Sequence, residues 1–222
     1  KAETMADTIF ALSSGAPPAA IGVIRIAGPD AGNALRSLAG PLPLPRRAAF
    51  RPLSDREGET LDHAFVLWLP GPATATGEDM AELHCHGGRA VIAAIETALL
   101  ALPELRRATP GEFTRRAFAN GKIDLAEAEG LADLLSAETE LQRQSALAMA
   151  GGAFSREVER WRAGVLGASA MVEAVLDFAD EDDVSALPAD FASCLADLRT
   201  GIAEWLARPH AETLREGFRV VL

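Results

Sequence analysis

Met80-Ala81-Glu82-Leu83-His84-Cys85-His86-Gly87-Gly88 is the stretch on which the fold turns. Residues two apart in a strand face the same way, so Ala81, Leu83 and Cys85 line one face and Glu82, His84 and His86 the other. After the two glycines the period changes. Val91, Ile92, Ile95 and Leu99 share one side of a helix, and Pro103 follows its end. Strand, glycine turn and helix in succession predict a mixed α/β unit. Upstream, Ile21-Gly22-Val23-Ile24-Arg25-Ile26 follows a Ser/Gly/Pro segment and predicts a buried strand. Residues 30–38 have weak helical character, and Pro41, Pro43 and Pro45 mark a loop. Residues 64–69 predict another strand, stopped by Pro70-Gly71-Pro72.

Downstream, Thr109-Pro110-Gly111-Glu112 predicts a helix start. Thr109 is placed to accept from a first-turn N–H, Pro110 occupies a position that needs no donor, and Glu112 completes a capping box. Asn120-Gly121 ends that short helix. Asp124-Leu125-Ala126-Glu127 is another capping box, opening what reads as one long helix to Gly151-Gly152. A second helix carries Phe154, Val158, Trp161, Val165, Ala168, Val172 and Val175, and a third carries Phe191, Leu195, Leu198, Ile202 and Trp205. Such stripes bury against one another or against a partner. Asp180-Glu181-Asp182-Asp183 reads as a solvated loop between them. Phe218-Arg219-Val220-Val221-Leu222 reads as the first strand of a further domain that is cut off. The fold class is therefore α+β: a mixed α/β domain over 1–119, the first part of a helical bundle over 120–216, and the start of another domain at 217–222.

A chain of 222 residues can bury a sizeable core, and 49% apolar with 24% charged residues excludes the disordered and fibrous classes. The net charge of −11 argues against non-specific nucleic-acid binding, which needs clustered cations, but leaves room for a local basic patch or a second subunit. Cys85 and Cys194 lie far apart in unlike contexts, which fits a reducing compartment without disulfides. No apolar run of about 18 residues and no basic-then-apolar leader is present, so a cytoplasmic protein is expected. Met5, preceded by four residues, reads as a candidate native start.

A phosphate loop needs spaced glycines ahead of Gly-Lys-Ser/Thr. The sole Gly-Lys pair, Gly121-Lys122, runs into Ile123 without the upstream glycine, so these residues hold no nucleoside-triphosphate engine. No Gly-x-Ser-x-Gly turn supplies a serine nucleophile. Glu82, His84 and His86 form a carboxylate and two imidazoles on one face. They suit a metal ion, or a polar heterocycle whose adjacent N–H groups Glu82 accepts, or merely the polar side of an edge strand. Gly87-Gly88 before a helix is an anion-binding start or a plain turn. Arg25, a charge in an apolar strand, needs a salt bridge or a ligand. Lys122 at its tight turn is a solvated cation by default. Arg106, Arg107, Arg115 and Arg116 form the main basic cluster, either surface solubility or a phosphate-backbone contact.

Six blocks in order resemble the tRNA-modification GTPase family MnmE, also called TrmE. They are Asp7-Thr8-Ile9, Gly22-Val23-Ile24-Arg25-Ile26, Pro70-Gly71-Pro72 with Thr76-Gly77-Glu78-Asp79, Glu82 through Gly88, Pro110-Gly111-Glu112-Phe113, and Lys122-Ile123-Asp124-Leu125. Leu214-Arg215-Glu216-Gly217 resembles the family's approach to its G domain. The resemblance implies an N-terminal domain that binds a tetrahydrofolate derivative, 5-formyl or 5,10-methylene, and forms a homodimer. It implies a helical domain into which a Ras-like G domain is inserted, with GTP, Mg and K bound there and outside these residues, so that this chain hydrolyses no GTP. The family acts with the FAD-containing MnmG on the wobble uridine of certain tRNAs, and residues near its C-terminus join the folate site. Arg25, Glu82 and Lys122 match its folate contacts: Glu82 on the pterin, the two cations on the anionic parts. A folate-binding dimerisation scaffold without catalysis, or a metal-dependent enzyme on Glu82, His84 and His86, are the rival readings.

Overall fold

The structure, a computed structural model, describes residues 7–177 and 187–207. The chain divides into two compact units, 1–123 and 124–222. In the first, β1 (Thr8–Leu12), β2 (Ile21–Ala27), β3 (Ala49–Ser54), β4 (Thr60–Leu69), β5 (Met80–His86) and β6 (Leu105–Arg107) form one sheet in the order β3-β4-β5-β2-β1-β6. Every neighbouring pair is antiparallel except β1 and β6. Helices α1 (Ala31–Ala39), α2 (Arg89–Leu100) and α3 (Glu112–Ala119) complete the unit.

The alternation in β5 sorts the sheet into two unlike faces. Leu83 and Cys85 join Ile24, Ile26 and Val66 in a core that Leu35 of α1 and Ile95 and Leu99 of α2 cover. Each fully buried aliphatic side chain there contributes about 1.5–3 kcal/mol. The opposite face is covered only at one end, where Ile9, Ala27 and Met80 meet Phe113 of α3. Elsewhere it stays open, with Phe50 62% and Phe65 53% exposed.

Three strands are absent from the sequence reading for physical reasons. β6 is too short to show a period, β1 has no alternation, and β3 carries Pro52, which an edge strand tolerates. The helix expected from Thr109 begins instead at Glu112, with Gly111 as its N-cap. Only half of the capping box forms: the Thr109 N–H donates to Glu112 Oε2 at 2.8 Å, while the Thr109 hydroxyl donates to that oxygen rather than accepting. The first unit extends past Ala119 to Ile123. Asn120 Nδ2 donates to the Thr76 carbonyl at 2.7 Å, and the Lys122 N–H to the Ala117 carbonyl at 2.8 Å.

The second unit holds α4 (Leu125–Ser136), α5 (Glu140–Ala150), α6 (Ala153–Asp177) and α7 (Phe191–Leu206). The box at Asp124 and Glu127 forms as expected. The single long helix expected after it does not. The chain breaks at Ala137 and Glu138, and Thr139 and Gln142 form a second, reciprocal box that starts α5. α6 and α7 meet through their stripes: the Trp205 ring lies 5.6 Å from Phe154 and 5.9 Å from Trp161. The burial is partial, and Val158, Val165, Val172 and Leu195 remain exposed. Both cysteines are free thiols. Among the described residues no helix is long and apolar enough to cross a membrane. The acidic run 180–183 and the strand expected at 218–222 lie outside the described residues.

Gly130 of α4 faces the end of α5 so closely that a Cβ would stand 2.4 Å from the Ala150 nitrogen and 2.8 Å from the Met149 Cβ. Gly→Ala inside a free helix stabilises by about 1 kcal/mol. Here Gly130→Ala is expected to lower the thermal unfolding midpoint, because backbone must move; a raised midpoint contradicts this packing.

Candidate functional site

Register places the first two candidate residues opposite each other. Arg25 of β2 pairs with Glu82 of β5, and its Nε and Nη2 both donate to Glu82 Oε1 at 3.1 Å. The pair sits on the open face, with the two side chains 33% and 17% exposed. The Arg25 guanidinium carbon also lies 5.9 Å from the centre of the Phe113 ring, which shields it on the α3 side. His84, next along the same face, holds Glu82 Oε2 through Nε2 at 3.0 Å. A carboxylate only accepts, so that nitrogen carries the proton. About four acceptor positions exist on a carboxylate; Arg25 occupies two on one oxygen and His84 one on the other.

His86 turns elsewhere. Its Nδ1 lies 2.7 Å from Asp62 Oδ1 and its backbone N–H donates to Oδ2 at 2.8 Å. Burial works against the Asp62 charge, yet the His86 N–H and ring outweigh it and hold the carboxyl below its ordinary pKa. Burial and the Asp62 charge push the Cys85 thiol up to about 11, so it is an inert core group. The Glu82-His84-His86 metal reading thus loses its geometry. The two imidazoles serve different carboxylates, and among the described residues no three His, Cys, Asp or Glu side chains converge on a metal position. Gly87 is a close-approach residue: a Cβ there would stand 2.5 Å from the Ala19 carbonyl oxygen.

Lys122 stands beyond the end of α3, exposed, and among the described residues its amine makes no hydrogen bond or ion pair. Its stem lies across Gly77 in the 70–79 loop. The structure therefore joins Arg25 to Glu82 directly and leaves Lys122 as a separate, free cation of the same unit.

The basic cluster is corrected. Arg116 is 1% exposed, and its Nη atoms donate to the Asp7 carbonyl (2.9 Å), Asp7 Oδ1 (2.7 Å), Glu78 Oε1 (3.2 Å) and Glu112 Oε1 (3.3 Å). Among the described residues its Nε has no partner. Arg106 bridges Asp7 and Glu112, Arg107 pairs with Glu96, and Arg115 lies 3.8 Å from Glu112. Arg116 is thus a buried structural cation, while half-buried Arg106 and exposed Arg107 and Arg115 lie beside carboxylates. The spacing of Glu112 and Arg116, one helical turn apart, was the signal available in the sequence.

Two family models match the chain: GTP-binding protein TrmE N-terminus over residues 8–122, and MnmE helical domain over residues 125–219. The chain belongs to the MnmE family. It is 68% identical to the tRNA modification GTPase MnmE of Novosphingobium aromaticivorans over 98% of its length, and 66% identical to that of Erythrobacter litoralis over 97%. It matches the Sphingopyxis alaskensis protein of the same name at 60% over 90%. The chain spans about half the length of these relatives, 52%, 51% and 48%.

The Arg106 hydrogen bond, aided by Thr109, holds the Glu112 carboxyl down at about 2 against an ordinary 4.5. A depressed carboxylate stabilises the fold above its unfolded pKa and loses that contribution as pH falls through the folded value. The chain is therefore expected to lose on the order of 2–3 kcal/mol between about pH 5 and pH 2. Glu112→Gln is expected to be less stable at neutral pH and to flatten this slope in denaturant unfolding followed against pH. An unchanged slope contradicts the assignment.

Proposed function

We propose that the first unit binds a reduced folate, 5-formyl- or 5,10-methylene-tetrahydrofolate, on the open face of its sheet. In this reading Glu82 accepts the paired N–H donors of the pterin, and Arg25 and Lys122 neutralise the anionic parts. The observation that carries it is the Arg25–Glu82 pair, set across two central strands with the carboxylate still reachable from solvent. One acceptor position on Glu82 is free, so a ligand presenting two donors displaces His84 from Oε2 and leaves Arg25 in place. The charge distribution does not oppose an anionic ligand on the first unit. Residues 1–123 hold thirteen Lys and Arg against thirteen Asp and Glu, while 124–222 hold eight against nineteen. The acidic surplus thus lies wholly in the helical unit.

The relatives are named tRNA modification GTPases, and we take the same role for the protein to which these residues belong. In that reading the folate supplies a one-carbon unit for modification of the tRNA wobble uridine, in the cytoplasm, with MnmG as the FAD-containing partner. GTP, Mg and K act in a G domain outside these residues. This chain's part is to hold the one-carbon donor and to pair two protomers. The site should bind 5-formyltetrahydrofolate saturably in calorimetric titration. A charge-assisted hydrogen bond is worth about 1.5–3 kcal/mol, so Glu82→Ala and Arg25→Ala should each weaken binding by about tenfold or more. Unchanged affinity in both variants sinks the site.

The homodimer is supported by the same face. Phe50 and Phe65 lie opposite each other across β3 and β4, their ring centres 5.2 Å apart, with His63 stacked on Phe50. We take this exposed aromatic pair as part of the dimer surface. Phe65→Asp is expected to shift the chain from dimer to monomer in sedimentation velocity. A monomeric wild type at high concentration, or an unaffected variant dimer, overturns this assignment.

A further inference from the structure

We propose that Gly77 and Asn120 are positioning residues that seat Lys122 at the ligand site, so that the Thr76-Gly77-Glu78-Asp79 loop acts on ligand affinity through the Lys122 amine. The proposal rests on the folate reading of Lys122 given above. The loop is held rigidly from several sides. Arg116, itself buried, binds Glu78; Asp79 Oδ1 accepts the Gly71 N–H at 2.8 Å; and the buried Thr76 hydroxyl accepts the Glu78 N–H at 3.3 Å. Asn120 ties the tip to α3 through the Thr76 carbonyl at 2.7 Å. Two residues on, the Lys122 N–H is fixed to Ala117 at the end of that helix. The backbone of Lys122 and the loop it crosses are therefore one rigid assembly.

Gly77 is the seat on which the Lys122 stem rests. Its φ is +81°, a region that L side chains rarely occupy. A Cβ there would stand 2.8 Å from Lys122 Cε, 3.3 Å from Lys122 Cγ and 3.3 Å from Asn120 Cβ. The nearest obstruction is the far end of a flexible side chain, so a methyl group at 77 is relieved first by swinging the Lys122 head aside. Among the described residues Lys122 also has no carboxylate partner to hold its amine. A long flexible cation without a partner contributes to binding only if something else restricts its rotamers. The glycine surface and the Asn120 tie are what restrict them.

A double-mutant cycle on the 222-residue chain tests this, with 5-formyltetrahydrofolate affinity and thermal midpoint read for wild type, Gly77→Ala, Lys122→Ala and the double variant. Lys122→Ala is expected to weaken binding about tenfold. Gly77→Ala should weaken it several-fold alone and cause no further loss when Lys122 is already Ala. The double variant should also unfold no earlier than Gly77→Ala, because the atom the methyl meets is gone. Asn120→Ala, which leaves φ at 77 unchanged, should show the same dependence on Lys122 and serves if Gly77→Ala does not fold. Equal, additive losses in both backgrounds overturn the positioning role while leaving Lys122 a ligand contact. A Lys122→Ala chain that binds as tightly as wild type overturns the reading of Lys122, and the positioning proposal falls with it.

Discussion

A guanidinium charge is buried at Arg116, and the first unit is arranged to neutralise it. Asp7 before β1, Glu78 in the 70–79 loop and Glu112 at the start of α3 all converge on it, with Arg106 sharing two of the three. Removing one partner from such a buried cluster costs about 3–5 kcal/mol, because an uncompensated charge is left behind. The constraint reaches well beyond the cluster. It fixes α3 against the sheet, so Phe113 shields Arg25, and it fixes the loop over which Lys122 lies.

The sheet makes the second contribution. Strict alternation in β5 and β2 sends the apolar side chains under α1 and α2 and leaves Arg25, Glu82 and His84 on a face covered at one end only. In the proposed folate reading the carboxylate is held by a register pair on central strands, more rigidly than a loop would hold it. The open aromatic edge at Phe50 and Phe65 belongs to that same face, so the surfaces proposed for ligand and partner would be set by a single alternation.

Much of this was legible in the sequence wherever one period ran uninterrupted. Met80–His86 is legible to the residue, and its two faces with it, because seven residues of alternation admit one register. Opposite charges in two predicted strands hinted at Arg25 and Glu82, but only pairing order shows that they meet. Asp62 was invisible because β4 starts earlier than its apolar run. Within the arginine cluster only Arg116 is buried, and composition cannot show that carboxylates as distant as Asp7, 109 residues away, engage it. The break between α4 and α5 was present in Thr139 and Gln142, yet continuous helical propensity on both sides concealed it.

Whether Glu82 receives a ligand's paired donors on the open face is decided by a crystal structure of the chain with bound 5-formyltetrahydrofolate. The pterin donors are expected within hydrogen-bonding distance of the Glu82 carboxylate, with His84 moved off Oε2 and Arg25 still on Oε1. A ligand bound away from Glu82, with the Arg25-Glu82-His84 contacts intact, would contradict it.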